Sequence, residues 1–250
     1  MDKNNIPGVY NYCDRWCERC TFTTRCANFE FGEKLEAADG DRDETNKIFW
    51  ELFEANLDDT VEKVDGGESE YDNFEFDDIE SNSDEEEYEG DDRRIKHIIA
   101  KSHDASKLAE LYHEKVSIWL EKNRENIENN NFYSELNKKN KIKLTDSVEV
   151  IRWYQYQIYV KFMRAIQGKD EDMFETEFPK DSDGSAKVAL IGIDRSISAW
   201  GNIFMSKDDK DGIVFNMLQL LVNLQHLVEE EFPDARDFIR PGFDDEIKKG

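Results

Sequence analysis

Apolar residues recur three and four positions apart along much of this chain, and that spacing predicts helices. In 103–122 the stripe is Leu108, Tyr112, Val116 and Trp119. In 146–167 it is Val148, Ile151, Tyr154, Ile158, Phe162 and Ala165, and in 212–231 it is Ile213, Met217, Leu220, Leu221, Leu224 and Val228. An earlier segment, 45–64, sets Phe49, Phe53, Leu57, Val61 and Val64 on one side, with Ile48 and Leu52 beside them. A 3.6-residue period brings such positions onto one face, which has to be buried against another element. No clear period-two run competes. Asp146 with Glu149 three residues on reads as a capping pair opening the 146–167 helix.

The segment 184–205 carries two stripes. Ala186, Leu190, Ile193, Ile197 and Phe204 form a large one, and Ser185, Ala189, Gly192, Ser196 and Ala199 a small one. Apolar groups on two faces predict packing on two sides, so this helix is expected at the centre, with the small stripe letting a neighbour approach closely. The expected fold is all-α: an antiparallel bundle of four to five helices, with an N-terminal cysteine-rich segment and a disordered acidic linker.

Charge sets the linker. Residues 65–92 hold fifteen Asp or Glu and no Lys or Arg. Such a segment buries too little to offset the entropy of ordering, which predicts disorder. The expected organisation is a cysteine segment over 1–30, a first helical region over 31–64, the acidic linker over 65–92, the bundle over 93–232 and a tail over 233–250. The stretch 123–143, rich in Asn and Lys, reads as a helix end followed by a loop. Over the whole chain 58 acidic and 33 basic side chains leave a formal charge of −25, with 38% hydrophobic residues. That balance disfavours nucleic-acid and membrane-surface binding and suits a basic protein partner. The N-terminus lacks the apolar core of a signal peptide, and Ile213 to Val228 is too short and polar to span a bilayer. A cytoplasmic protein is expected.

The candidate chemistry lies at the start. All four cysteines, Cys13, Cys17, Cys20 and Cys26, fall within fourteen residues at the spacing C-x3-C-x2-C-x5-C. In a reducing compartment clustered cysteines point to metal ligation rather than disulfides. Four thiolates suit a tetrahedral structural zinc or the four irons of a cubane iron–sulfur cluster. Zinc sites more often pair two C-x2-C knuckles across a longer loop, so these compact spacers lean toward the cluster, with zinc as the alternative. Tyr12, Trp16 and Phe22 are placed to shield the site, and Arg15, Arg19 and Arg25 to offset thiolate charge.

C-x3-C-x2-C resembles the cluster motif of radical S-adenosylmethionine enzymes, and C-x2-C-x5-C resembles the last three ligands of helix-hairpin-helix DNA glycosylases. The first family needs a β/α barrel and an open iron that Cys26 would fill; the second needs a basic surface. The segments IPGVYNYCDRWCERCTFTTRC, SVEVIRWYQYQIYVKFMRAI, GSAKVALIGIDRSISAWG and EEEFPDARDFIRPGFD together resemble a family of functionally uncharacterised bacterial proteins with an N-terminal four-cysteine segment. That resemblance implies the bundle and the cysteine site, and no activity.

Other candidates are weaker. Glu110-x-x-His113, with Glu149 and Asp194, is half of a di-metal carboxylate pattern; His226-x-x-Glu229 runs in reverse order. Lys187, Asp194 and Arg195, with Arg152, could line a polar groove, or simply form the solvent face of the helix or a buried ion pair that fixes helix register. The remaining histidines, His97 and His103, are scattered. The functional expectation is a metal-binding helical protein with a structural, redox-sensing or interaction role. The alternatives are an oxidoreductase using the cluster or a second metal site in the bundle, and a zinc-stapled adaptor binding a basic partner through the acidic linker.

Overall fold

The computed structural model describes residues 4–36, 94–129, 132, 138–169, 180–206 and 211–244. The expected helix at 45–64 and the acidic linker at 65–92 lie outside these residues. Among the described residues the regular structure is helical, without strands: α1 (Ala27–Glu36), α2 (Asp104–Glu128), α3 (Lys138–Gly168), α4 (Asp181–Ser206) and α5 (Ile213–Glu231), with a helical stretch at 94–102 leading into α2. His103 caps α2, its Nδ1 accepting from the Ala105 amide at 3.2 Å.

Helices α3 and α4 are antiparallel, and theirs is the most extensive helix contact. Asn202 bonds Ser147 at one end and Arg164 pairs with Asp181 at the other. Between them Gly192 faces Tyr154 and Ile158. A Cβ on Gly192 would stand 3.0 Å from both side chains, tighter than ordinary contact. The small stripe therefore does set the approach of α3, as its spacing predicts. On its other sides α4 meets α5 and, through Trp200, meets α2. The indole Nε1 of buried Trp200 donates to the Tyr112 hydroxyl at 2.9 Å, and the ring packs edge-on against Trp119 at 4.9 Å. The large stripe holds through Ile193, but Phe204 is exposed and Ile203 is buried in its place.

Two readings of the sequence are corrected. Helix α3 begins at Lys138, not Asp146, so the loop expected through 143 is helical from 138, and Leu144 is fully buried. Asp146 and Glu149 consequently sit inside the helix and cap nothing; both pair with Arg19 of the cysteine segment. The described part of the tail, 233–244, also packs on the body. Phe232, Ala235 and Phe238 are buried, and a 3-10 turn at Ala235–Asp237 packs on α4.

Two Pro-Gly turns bring the chain's ends together. Ile6-Pro7-Gly8-Val9 and Arg240-Pro241-Gly242-Phe243 each place glycine at positive φ, +73° and +78°, where a side chain is strained. Gly8 lies against Pro241, and a Cβ on Gly242 would stand 3.2 Å from Ile6 and Val9. The tail is held to α4 by buried Asp244, which accepts from Arg240 at 3.0 Å and pairs with Lys187 at 3.1 Å. Lys187 also donates to the Phe238 carbonyl at 2.6 Å.

Candidate metal centre

The cysteine segment has little regular structure, so its shape comes from tight local bonds. Arg15 takes a left-handed conformation, φ +53°, a backbone state that costs a non-glycine residue about 1–3 kcal/mol. Trp16 follows with φ −79° and ψ 72°, an inverse γ-turn closed by the Cys17 amide donating to the Arg15 carbonyl at 2.9 Å. Two 3-10 turns complete the loop, Cys17–Arg19 and Thr23–Arg25, each capped by the amide of the next cysteine. Cys26 then accepts the first bond of α1, from the Glu30 amide at 3.0 Å. The end of a helix that exposes free amides favours negative charge beside it.

These turns put all four cysteines around one cavity of about 20 Å3, closed by Val9, Phe22, Phe29 and, from the tail, Phe243. None of the four forms a disulfide, and each is partly buried. Among the described residues, no three His, Cys, Asp or Glu side chains are already gathered as a metal-binding group. The cysteines line a common wall without meeting at a point. Two of the sulfurs are engaged locally: Cys13 Sγ donates to the Tyr10 carbonyl and Cys20 Sγ accepts from the Phe22 amide, both at 3.4 Å. An amide aimed at sulfur is the kind of outer bond that tunes metal-bound thiolates.

The electrostatics tie the thiols together. Burial pushes Cys17 up to about 12, and the charges of Cys13, Glu18, Cys20 and Cys26 add to the rise. Burial also raises Cys13, opposed by a backbone bond at Arg15 and by Lys161. Lys161 reaches up from α3 and is 5% exposed; burial brings its ammonium down to about 8, while Cys13 pulls the other way. Thiolates confined together repel one another, and a cation among them relieves both the repulsion and the cost of burial.

The segment is seated on the bundle by Asp14. Its Oδ2 accepts from the Tyr154 hydroxyl at 2.6 Å and from Arg195 at 2.5 Å, and its carbonyl from Trp153 Nε1 at 3.0 Å. Trp16 stacks on Trp153 with ring centroids 5.1 Å apart, and the Arg19 guanidinium covers Trp16 at 4.0 Å. Tyr12 inserts its ring against Phe238 and Gly184, and its hydroxyl donates to Asp181 at 2.7 Å. Gly184 admits that ring: a Cβ there would lie 2.3 Å from it.

No family model, no curated protein and no solved structure matches this chain. Among the described residues, no helix is long and apolar enough to cross a membrane.

The other sequence candidates do not assemble. Glu149 pairs with Arg19, and Asp194 with Arg236 at 2.5 Å and Gln225 at 2.6 Å. His113 lies against Tyr156, its imidazole pKa lowered by burial. His97 bonds Gln167, His103 pairs with Glu231 and His226 is exposed. Of the expected groove residues, Lys187 and Asp194 hold the tail and only Arg195 faces the cysteine segment. Phe243 is the contributor that sequence reasoning missed. Its signal was the repeated Pro-Gly dipeptide, 7–8 and 241–242, at the two ends of the chain.

Proposed function

We propose that this protein is a four-thiolate metal protein in which Cys13, Cys17, Cys20 and Cys26 hold one centre. The reading rests on one observation: all four cysteines of the chain border a single cavity. The donor set fits the group, because four thiolates complete the coordination of either a zinc ion or a cubane cluster. The iron–sulfur cluster is the leading identity. The compact spacers favour it, and a cubane takes its thiolates on four separate irons, so its ligands ring a space instead of converging on one atom. Zinc is the second reading, favoured by the size of the cavity, about 20 Å3, which is room for one water-sized sphere.

The role that follows from position is fastening. Residues 4–26 touch the bundle through Tyr12, Asp14, Trp16 and Arg19, and the C-terminal tail through Phe22 and Phe243. A centre that locks the four cysteines would lock both chain ends onto α3 and α4. Loss of the metal, by oxidation or chelation, would then loosen those ends together, which is how a structural centre becomes a sensor. Lys161 and the arginines of the segment supply the positive charge that four thiolates need nearby.

The test is purification without oxygen, followed by metal and sulfide analysis. A brown protein with broad absorption near ~400 nm holds a cluster, and a colourless one with stoichiometric zinc holds the ion. A metal-free protein with the same fold and stability would contradict the proposal.

A further inference from the structure

A groove of about 500 Å3 runs beside the cysteine cavity, between the cysteine segment and helices α3 and α4. It shares Asp14, Trp16, Cys20 and Phe243 with the cavity, so anything in the groove would lie against the centre. Its volume is in the range that takes a small molecule.

The polar groups of the groove are not equally occupied. Asp14 accepts from Tyr154, Arg195 and the Trp16 amide, and Asp146 pairs with Arg19. Their charges are met from within the protein. Arg195 differs: its Nη1 serves Asp14 and Tyr154, while among the described residues no oxygen accepts from its Nε or Nη2. Tyr154 and Asp14 hold the guanidinium through Nη1, and the side chain is half exposed, 52%. One turn along the same face of α4 stands Ser198, an exposed hydroxyl among the groove's lining residues. A pre-positioned guanidinium fork with a hydroxyl beside it is a receptor for a planar or tetrahedral oxyanion. The groove's lining also has apolar members, Val150, Ala199 and Phe243.

We infer that this groove binds a small organic anion, with its carboxylate or phosphate on Arg195 and Ser198 and its apolar body against Val150, Ala199 and Phe243. The inference does not need a metal in the neighbouring cavity. It extends the proposed function by giving the centre a ligand site at its edge.

The experiment keeps the body constant and varies the head. Hexanoate, hexyl phosphate, hexanol and hexylammonium are titrated into the full-length protein by calorimetry and thermal shift, with metal content measured in parallel. Saturable binding at millimolar concentration is expected for an anion and not for the alcohol or the amine. The better of hexanoate and hexyl phosphate identifies the head group. Arg195→Gln should weaken it about tenfold, the worth of one hydrogen bond to a charged group. Arg195 also holds Asp14, so a second variant is needed. Ser198→Phe puts a ring into the groove from a residue outside the lining of the cysteine cavity; it should abolish binding while metal content stays at the wild-type level. The inference is overturned if neither anion saturates, if hexanol binds as well as hexanoate, or if Ser198→Phe binds normally. Loss of metal with anion binding retained would sink the proposed centre and leave the groove standing.

Discussion

The hydroxyl of Tyr154 donates a 2.6 Å hydrogen bond to Oδ2 of Asp14. The two residues are 140 positions apart, one fully buried in α3 and the other between the first two cysteines. Burial, and the charge of Asp14, push the phenol's pKa upward, so it stays protonated and remains a donor. This bond, with Arg195 on the same carboxylate oxygen, joins the contacts of Tyr12, Trp16 and Arg19 in fixing the cysteine segment to the bundle. Asp14→Ala should therefore cost about 1–3 kcal/mol, because it leaves a buried hydroxyl and a half-buried guanidinium without their acceptor. Denaturant unfolding measures it. A change below about 0.5 kcal/mol, the size of an ordinary surface substitution, would show that the segment is seated by other contacts.

Gly184 gives a more selective way to unseat the segment. A Cβ at this position would lie 2.3 Å from the Tyr12 ring and 2.7 Å from Phe238. Alanine is the better helix former by about 1 kcal/mol, so α4 itself would not suffer. Gly184→Ala is expected to expel Tyr12, and proteolysis should then cut the first residues of the chain while the bundle persists. Unchanged protease resistance would mean that the ring shifts without releasing the segment.

Gly192 tests the centre of the bundle. Its Cβ position lies 3.0 Å from Tyr154 and Ile158, so leucine there would overpack the α3–α4 contact. The expected loss is about 1–3 kcal/mol or more, despite the gain in helix propensity. A stabilised Gly192→Leu would contradict the close approach of the two helices.

Asp244 gives the protein a pH-dependent anchor. Burial alone would raise its carboxyl, but bonds from Arg240 and Lys187 bring it well below the usual carboxylate range. A depressed folded value means that its contribution is present above the unfolded value, about 3.9, and is lost as pH falls through the folded one. The stability difference between wild type and Asp244→Asn should be constant near neutral pH and shrink only in strong acid. Equal stability of the two proteins at neutral pH would show that the tail does not depend on this carboxylate.

Legibility in the sequence followed periodicity. Spacing alone places Tyr112, Val116, Ile151, Tyr154, Leu221 and Leu224 on buried faces, and all are buried. The double stripe of α4 likewise marked it as the helix with neighbours on several sides. The start of α3 was hidden because Lys138, Lys139, Asn140 and Lys143 carry no apolar signal, and a mid-helix Asp146 imitated a cap. Asp146 and Glu149 are there for Arg19, a contact across 127 and 130 positions that no local pattern records. The tail was opaque for a related reason. Its order comes from Pro-Gly turns, from the Arg240–Asp244 pair and from Lys187, which are long-range or turn-level features without a period. The cysteines were legible as a set, whereas the residues that seat them, Asp14, Tyr154, Arg195 and Gly184, had to be seen in three dimensions.

The central claim is that four cysteines share one centre, and the direct measurement is metal content per chain in anaerobically purified wild type, Cys17→Ser and Cys20→Ser. The account predicts a stoichiometric centre in the wild type, four irons with sulfide or a single zinc, and its loss in both variants. Wild-type metal content retained in both variants, or a wild-type protein that binds neither iron nor zinc, would contradict it.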